Sequence, residues 1–340
     1  MPDLNLPSAL GFPGPRLIQS LVELWSPNPA NHIGAQILPE LKWDMPFIEW
    51  DELAGVEGMT NAHSLDADVK ATIMEVLKTY KENPFYWREV AWLKESDLLT
   101  ARMMGSLNPK AGMQLYMRTH KSLNIRLDTR REWCRWQALT GSLAINENGV
   151  KRTLTYGVQA PSAPSVTWDT VATADPMADL QTYLALLDGW SSGNARIYYG
   201  RDVGNALSQN AKVRSLASAS GFSKELSASN VGQALVSAMT GDIDSMQLYK
   251  EGYKSSGTFA PFIPAKHIVI VGNSPDSEPI GHHVTTLAVQ NGGLANPRAG
   301  RFEKTMDKLD EKGKFGVLVG ENSVPIIKHP KCVIKVQVLA

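Results

Sequence analysis

Residues 110–144 read KAGMQLYMRTHKSLNIRLDTRREWCRWQALTGSLA. This stretch has no proline, glycine falls only near its two ends, and Pro109 stands where a helix would start. Its residues are good helix formers. About thirty helical residues span roughly 45 Å at a rise of about 1.5 Å each. The face is imperfectly apolar: Met113, Met117, Leu127, Cys134 and Ala138 are interrupted by His120 and Asn124. A face so mixed does not suit the core of a helix bundle. It predicts a long helix laid across a sheet with one side exposed. The rest of the chain must supply that sheet, and its mixture of signals gives α+β, with strands and helices segregated.

The segment before the helix, residues 36–95, offers strands. An outgoing limb, AQILPELKWDMPFIEWDELAG, carries Trp43, Phe47 and Trp50. A polar tip, GMTNAHSLDAD, follows. The returning limb, VKATIMEVLKTYKENPFYWREVAWL, carries Phe85, Tyr86, Trp87 and Trp92. This pattern predicts two long, mostly β limbs around a turn-rich tip. An elongated hairpin has no core of its own. Trp43, Phe47, Trp50, Trp87 and Trp92 are therefore candidate contacts with a neighbouring subunit. Residues 1–31 are rich in proline, asparagine and serine, with Leu17, Leu21 and Leu24 at helical spacing. They read as an extended arm with a short amphipathic piece that packs on something else.

After the helix, the stretch WDTVATADPMADL raises a question of chemistry. Its aspartates fit an acid/base pair, but they fit a helix start better. Asp175 before Pro176 is an N-cap followed by proline at the first helical position. Asp179, one turn in, complements the positive end of the helix dipole. Leu180, Tyr183, Leu184 and Leu187 then form one buried face, and Gly189 can end the helix. Beyond it, ARIYYGRDVGNALSQNAKVRSLA reads strand, turn, helix. Residues 217–237, rich in small side chains, read as a loop. DSMQLYKEGY and HIVIVGN read as strands, residues 272–325 as irregular, and CVIKVQVLA as a strand running to the last residue.

Composition narrows the function. The 34 basic residues balance the 34 acidic ones. That argues against a dedicated DNA-binding protein, whose affinity depends on a basic face. A neutral surface does little to keep copies apart and suits a protein that assembles. No phosphate-binding loop, dinucleotide fingerprint, HExxH or GxSxG occurs. His282 and His283 are adjacent, so on a strand they point apart, and no third ligand has suitable spacing. Neither metal nor cofactor is expected. Cys134 and Cys332 read as inert packing thiols. The N-terminus has no secretory pattern, and no run approaches the ~18 apolar residues of a membrane helix. The expectation is a soluble protein made in the cytosol.

The serial order of these pieces resembles the lambda major head protein (phage capsid E) family of tailed-bacteriophage major capsid proteins, which has the HK97 fold. Trp168, Asp175, Pro176 and Asp179 match that family's strand end, Asp-Pro loop and acid-bearing helix. The pieces ARIYYGRDVGNALSQNAKVRSLA, SMQLYKEGY, FIPAKHIVIVGN and VIKVQVLA follow in the family's order. The resemblance implies an N-terminal arm over residues 1–35 and an extended hairpin, the E-loop, over 36–95, laid on an adjacent subunit. It implies a peripheral domain over 96–189, with its spine helix at about 110–144, and an axial domain over 190–325. A terminal strand over 326–340 would return to the peripheral domain.

It implies a non-enzymatic shell protein of the virion, made and assembled in the host cytoplasm. The protein would self-assemble as hexamers and pentamers into an icosahedral head enclosing double-stranded DNA. Its partners would be its own copies, a separate scaffolding protein, a portal and a decoration or cement protein. Contact with packaged DNA would be weak and non-specific, and no membrane is involved. Some relatives crosslink through Lys–Asn isopeptide bonds, but Lys42, Lys70 and Lys78 all read equally well as solvated lysines. The alternatives are an encapsulin-like compartment shell and a two-domain enzyme using Asp175 with His282 or His283.

Overall fold

The computed structural model describes residues 32–53, 76–94, 109–219, 225–239, 242–255, 257–276, 278–293, 295–308 and 314–340. The arm piece around Leu17, Leu21 and Leu24, the hairpin tip and Lys70 lie outside the described residues. The long helix, α2 (Pro109–Leu139), is present and ends five residues earlier than the expected 144. Gly141, at a φ of +98°, turns the chain into a hairpin of β5 (Ser142–Glu147) and β6 (Val150–Thr155).

Helix α2 lies on a six-stranded sheet. The longest strand of that sheet is β15 (Lys314–Ile327). Along one edge of β15 runs β4 (Phe85–Lys94); along the other run β14 (Phe302–Lys308) and β12 (Gly281–Ala288). β1 (Glu40–Trp43) pairs parallel with β12, and β13 (Arg298–Ala299) adds a short antiparallel rung. The two-residue strand period decides what meets the helix. Phe315, Val317 and Val319 of β15, with Leu93 of β4, pack on Tyr116, Leu123 and Leu127 of α2.

The expectation of irregular chain over 272–325 is corrected, because β12, β14 and most of β15 fall there. Two of the glycines that suggested turns, Gly316 and Gly320, are close-packing sites on β15. A Cβ on Gly320 would stand 2.7 Å from Phe302 Cζ and 2.7 Å from the Trp87 carbonyl oxygen. One on Gly316 would stand 2.8 Å from the Trp92 ring.

A second sheet orders β16 (Val333–Gln337), β11 (His267–Val271), β7 (Ala195–Tyr199) and β8 (Ile243–Leu248). Only β7 and β8 are parallel. Alternate residues Ile197, Tyr199, Ile268, Ile270, Ile334 and Val336 face one core. They share it with residues of α3 (Pro176–Leu184), α4 (Arg201–Gln209), α5 (Ala211–Ala219) and α6 (Val231–Ala238). The residues between them, Tyr198, Val269, Val271 and Val333, face a second core shared with the C-terminal half of α2. There Trp136 meets Tyr198 edge-on at 5.7 Å and lies 4.9 Å from Tyr249. A sheet buried on both faces needs continuous apolar strands, which is why HIVIV does not alternate. Burying each such side chain stabilises the fold by about 1.5–3 kcal/mol.

Two further expectations change. The terminal strand does not return to the sheet beneath α2; β16 pairs with β11 from His267↔Gln337 to Val271↔Val333. Its apolar residues fill both cores of the second sheet, whereas residues 281–327 complete the sheet under the helix. Residues 231–238, read as loop, form α6. Their small side chains are needed because α6 lies on β8: a Cβ on Gly232 would stand 2.0 Å from the Met246 carbonyl oxygen. A small hairpin, β9 (Gly252–Ser255) with β10 (Thr258–Pro261), precedes β11.

Candidate assembly surfaces

The expected hairpin divides in two. Its outer parts, β1 and β4, belong to the six-stranded sheet. Its stem, β2 (Ile48–Leu53) and β3 (Val76–Glu82), pairs only with itself among the described residues, from Ile48↔Glu82 through Trp50↔Tyr80, with an irregularity at Glu52/Leu53. A two-stranded ribbon is marginal alone, so its root is built into the chain's core. Ile48 is fully buried there. Trp50 stacks on Tyr80 at 5.0 Å with the rings 7° apart. The Tyr80 hydroxyl donates to Glu52 Oε2 at 2.9 Å. Burial, with the bond to Glu52, pushes that phenol up to about 12.

The five aromatics chosen from sequence therefore separate. Trp50 is 8% exposed and belongs to its own subunit's core, which corrects its place among the contact candidates. Trp43 and Trp87 are half-buried against the same core. Phe47 is half-buried, with Lys81 Nζ 4.1 Å from its ring centre. Trp92 is 39% exposed. Tyr86 at 63% and Val90 at 38% join it on β4 but lie outside the chosen set. The signal for them is parity, since 86, 90 and 92 share one face of a strand.

Beneath α2 the two interrupting residues have a purpose. His120 is buried, its Nε2 2.6 Å from Glu303 Oε2 on β14. The Asn124 amide donates to Glu303 Oε1 at 3.1 Å, and its oxygen accepts from Arg301 at 2.9 Å. Arg301 also pairs with Asp128. One turn on, Arg131 Nε donates to the fully buried Glu321 at 2.5 Å, and its other nitrogens reach Glu40. Burial alone would push the Glu321 carboxyl up. Arg131, with His283 and Arg301, outweighs it and holds the group well below the usual carboxylate range. His283 Nε2 stands 3.7 Å from Glu321 Oε1. Burial lowers that imidazole to about 4.

Glu132, also fully buried, is a junction. Its Oε1 accepts from the Gly34 backbone N–H at 2.8 Å, Trp136 Nε1 at 2.9 Å and the Tyr249 hydroxyl at 2.7 Å. Gly34 lies in α1 (Ile33–Ile37). One carboxylate thus ties α1, the long helix and the segment after β8.

The residues weighed for catalysis are engaged elsewhere. Asp175 caps α3, its Oδ1 accepting from Ala178 N at 3.3 Å, with Pro176 at the first helical position. Its other oxygen pairs with Lys212 at 2.5 Å, which holds the carboxyl below its ordinary value. Asp179 Oδ2 accepts from the indole N–H of the fully buried Trp168 at 2.9 Å. The Trp168 backbone N–H donates to Val338, tying this junction to the chain's end. His283 lies on β12 against Glu321, away from these partners. Among the described residues, no group of three or more metal-ligating side chains converges. Cys134 and Cys332 are buried free thiols; burial pushes Cys332 up to about 11. No described helix is long and apolar enough to cross a membrane.

Among curated proteins, none matches this chain. Solved structures share its fold. A candidate capsid protein of an E. coli CFT073 prophage aligns with a TM-score of 0.51 at 18% identity, over 77% of this chain and 80% of that one. A phage-related protein from Bordetella bronchiseptica RB50 aligns at 0.53 and 11%, over 95% and 96%. The capsid of the native GTA particle aligns at 0.51 and 8%, over 92% of each. The architecture is the α+β capsid fold of the HK97 type. The family model for phage major capsid protein E matches residues 77–338, well over half of the sequence. The chain belongs to the phage major capsid protein E family.

Proposed function

We propose that this major capsid protein closes an icosahedral head of hexamers and pentamers around the double-stranded DNA of a tailed bacteriophage. It acts by self-association, not turnover. The observation that carries this reading is the β2–β3 stem, which leaves the main sheet and, among the described residues, pairs only with itself. Beyond the root held in its own subunit's core, such an element is stabilised by burial against another copy. In this reading residues 1–35 are the arm, the stem and its tip the E-loop, and α2 with its sheet the peripheral domain. The second sheet and its helices are the axial domain. Assembly takes place in the host cytoplasm, with a separate scaffolding protein, a portal and a cement protein as partners. Zero net charge fits weak, non-specific contact with packaged DNA.

The test replaces residues 54–75 with a short Gly-Ser turn. The shortened chain is expected to fold with an unchanged circular dichroism spectrum and remain a small species where the full chain forms shells. Ordinary shells from the shortened chain would overturn the role given to the hairpin.

A further inference from the structure

Strand β7 reads ARIYY, and Arg196 is its one charged residue. Ile197 and Tyr199 face the helices of the second sheet, so Arg196 shares the other face with Tyr198. In the strand register it stands between Val271 of β11 and Ser245 of β8, half-buried. A guanidinium taken out of water is costly unless it is paired. Arg196 has neither a hydrogen bond nor an ion pair among the described residues, and its Nε is buried without an acceptor. It lines an open cleft of about 520 Å³. The other walls come from Gln36 of α1, from Asn273 just after β11, and from Glu278 and Ile280 just before β12. Glu278 thus shares the cleft with Arg196, yet no ion pair joins them. Glu278 Oε2 turns to Lys328 at 3.4 Å, and its Oε1 has no partner among the described residues. An acid and a base stand in one cleft without meeting.

The lining sets the class of ligand. The guanidinium fork suits anionic oxygens, which it can hold two at a time. Asn273 Nδ2 gives one hydrogen to the Asn194 carbonyl at 3.1 Å and keeps a second to offer. An ionised Glu278 only accepts, so it suits a ligand that carries its own O–H. We propose that this cleft binds inorganic phosphate in its protonated forms, hydrogen or dihydrogen phosphate. Arg196 takes the anionic oxygens, Asn273 adds one bond and Glu278 accepts from P–OH. Lys328, beside Glu278, offsets the acid's charge. Sulfate and a phosphodiester carry no O–H and would leave Glu278 facing bare anionic oxygen. Bound phosphate joins β7 of the second sheet to α1 and to the lead into β12, so it stabilises the subunit where these segments meet. The proposal does not depend on the shell reading.

Phosphate itself is the probe. The purified full-length chain is titrated with sodium phosphate, sodium sulfate and adenosine monophosphate, with ionic strength held constant by chloride. The pH is about 7.5, where a phosphate monoester has lost its second proton. Binding is read by calorimetry and by melting temperature. At about ten times its half-saturating concentration, phosphate is expected to raise the melting temperature by about 2 °C. Sulfate and the monoester are expected to bind at least about tenfold more weakly. R196Q is expected to lose the phosphate response yet to melt no lower than the parent in chloride, because it removes a charge that has no partner. R196K, which keeps the charge and loses the fork, is expected to bind about tenfold more weakly. E278Q is expected to admit sulfate, since its amide donates where the carboxylate only accepts. A parent that does not respond to phosphate, or responds alike to phosphate and sulfate, overturns the proposal. So does an R196Q chain that responds like the parent, or one that melts well below it in chloride, which would give Arg196 a structural partner. A response to a phosphodiester dinucleotide in place of phosphate overturns it as well and moves Arg196 to contact with DNA.

Discussion

At the scale of residues, buried carboxylates on or against α2 do most to fix the subunit's shape. Glu132 gathers three hydrogen bonds and its neighbour Arg135 in a fully buried site. Removing one partner of such a set leaves the others unpaired. Glu132→Ala is therefore expected to cost roughly 3–5 kcal/mol in urea unfolding, and a loss below about 1 kcal/mol would show that the junction is solvated. Asp175→Ala removes an exposed cap and an exposed ion pair with Lys212, so about 1 kcal/mol is expected.

His283 predicts a pH dependence. Its folded value of about 4 lies below the ordinary imidazole value. Above pH ~6.5 the ring is neutral in both states. Between ~6.5 and ~4 the unfolded chain takes a proton that the folded chain refuses, so stability falls as pH falls, by up to roughly 3 kcal/mol. Glu321, held low, adds its own loss below the usual carboxylate range. His267 and His282, partly buried and also lowered, slope the same way as His283. His283→Asn is expected to remove the steepest part of the slope of urea midpoint against pH between 6.5 and 4.5. An unchanged slope would contradict the assignment. The Asp175 cap was legible in sequence because both partners lie within four residues. Glu132 was not, because its donors come from positions 34, 136 and 249.

At the scale of elements, the long helix was legible from Pro109 and from helix-forming composition, and so was its place on a sheet. His120 and Asn124 looked like flaws in its face because their partners on and beside β14 lie almost 180 residues away. The sheet itself was half hidden: glycine in β15 signals a turn locally, but here it makes room for Trp92, Phe302 and Trp87. Gly320→Ala forces a Cβ against backbone and ring, so a loss of about 1–3 kcal/mol is expected in thermal unfolding. An unchanged melting temperature would mean that the β4–β15–β14 packing is looser than described. The hairpin's aromatics were visible as a group, but their division between core and surface depends on register. Trp50 points into its own subunit and Trp92 does not, which no count of tryptophans reveals.

At the scale of the whole molecule, two sheets share the C-terminal half of one long helix, and the chain crosses between them after α2, after β11 and before β16. Assembly is the central claim, and particle size tests it most directly. The purified chain, alone and with a scaffolding partner, is measured by light scattering and negative-stain microscopy. The account predicts closed shells many times the 37.2 kDa mass of the chain. A 37.2 kDa monomer under every condition, scaffolding partner included, would contradict it.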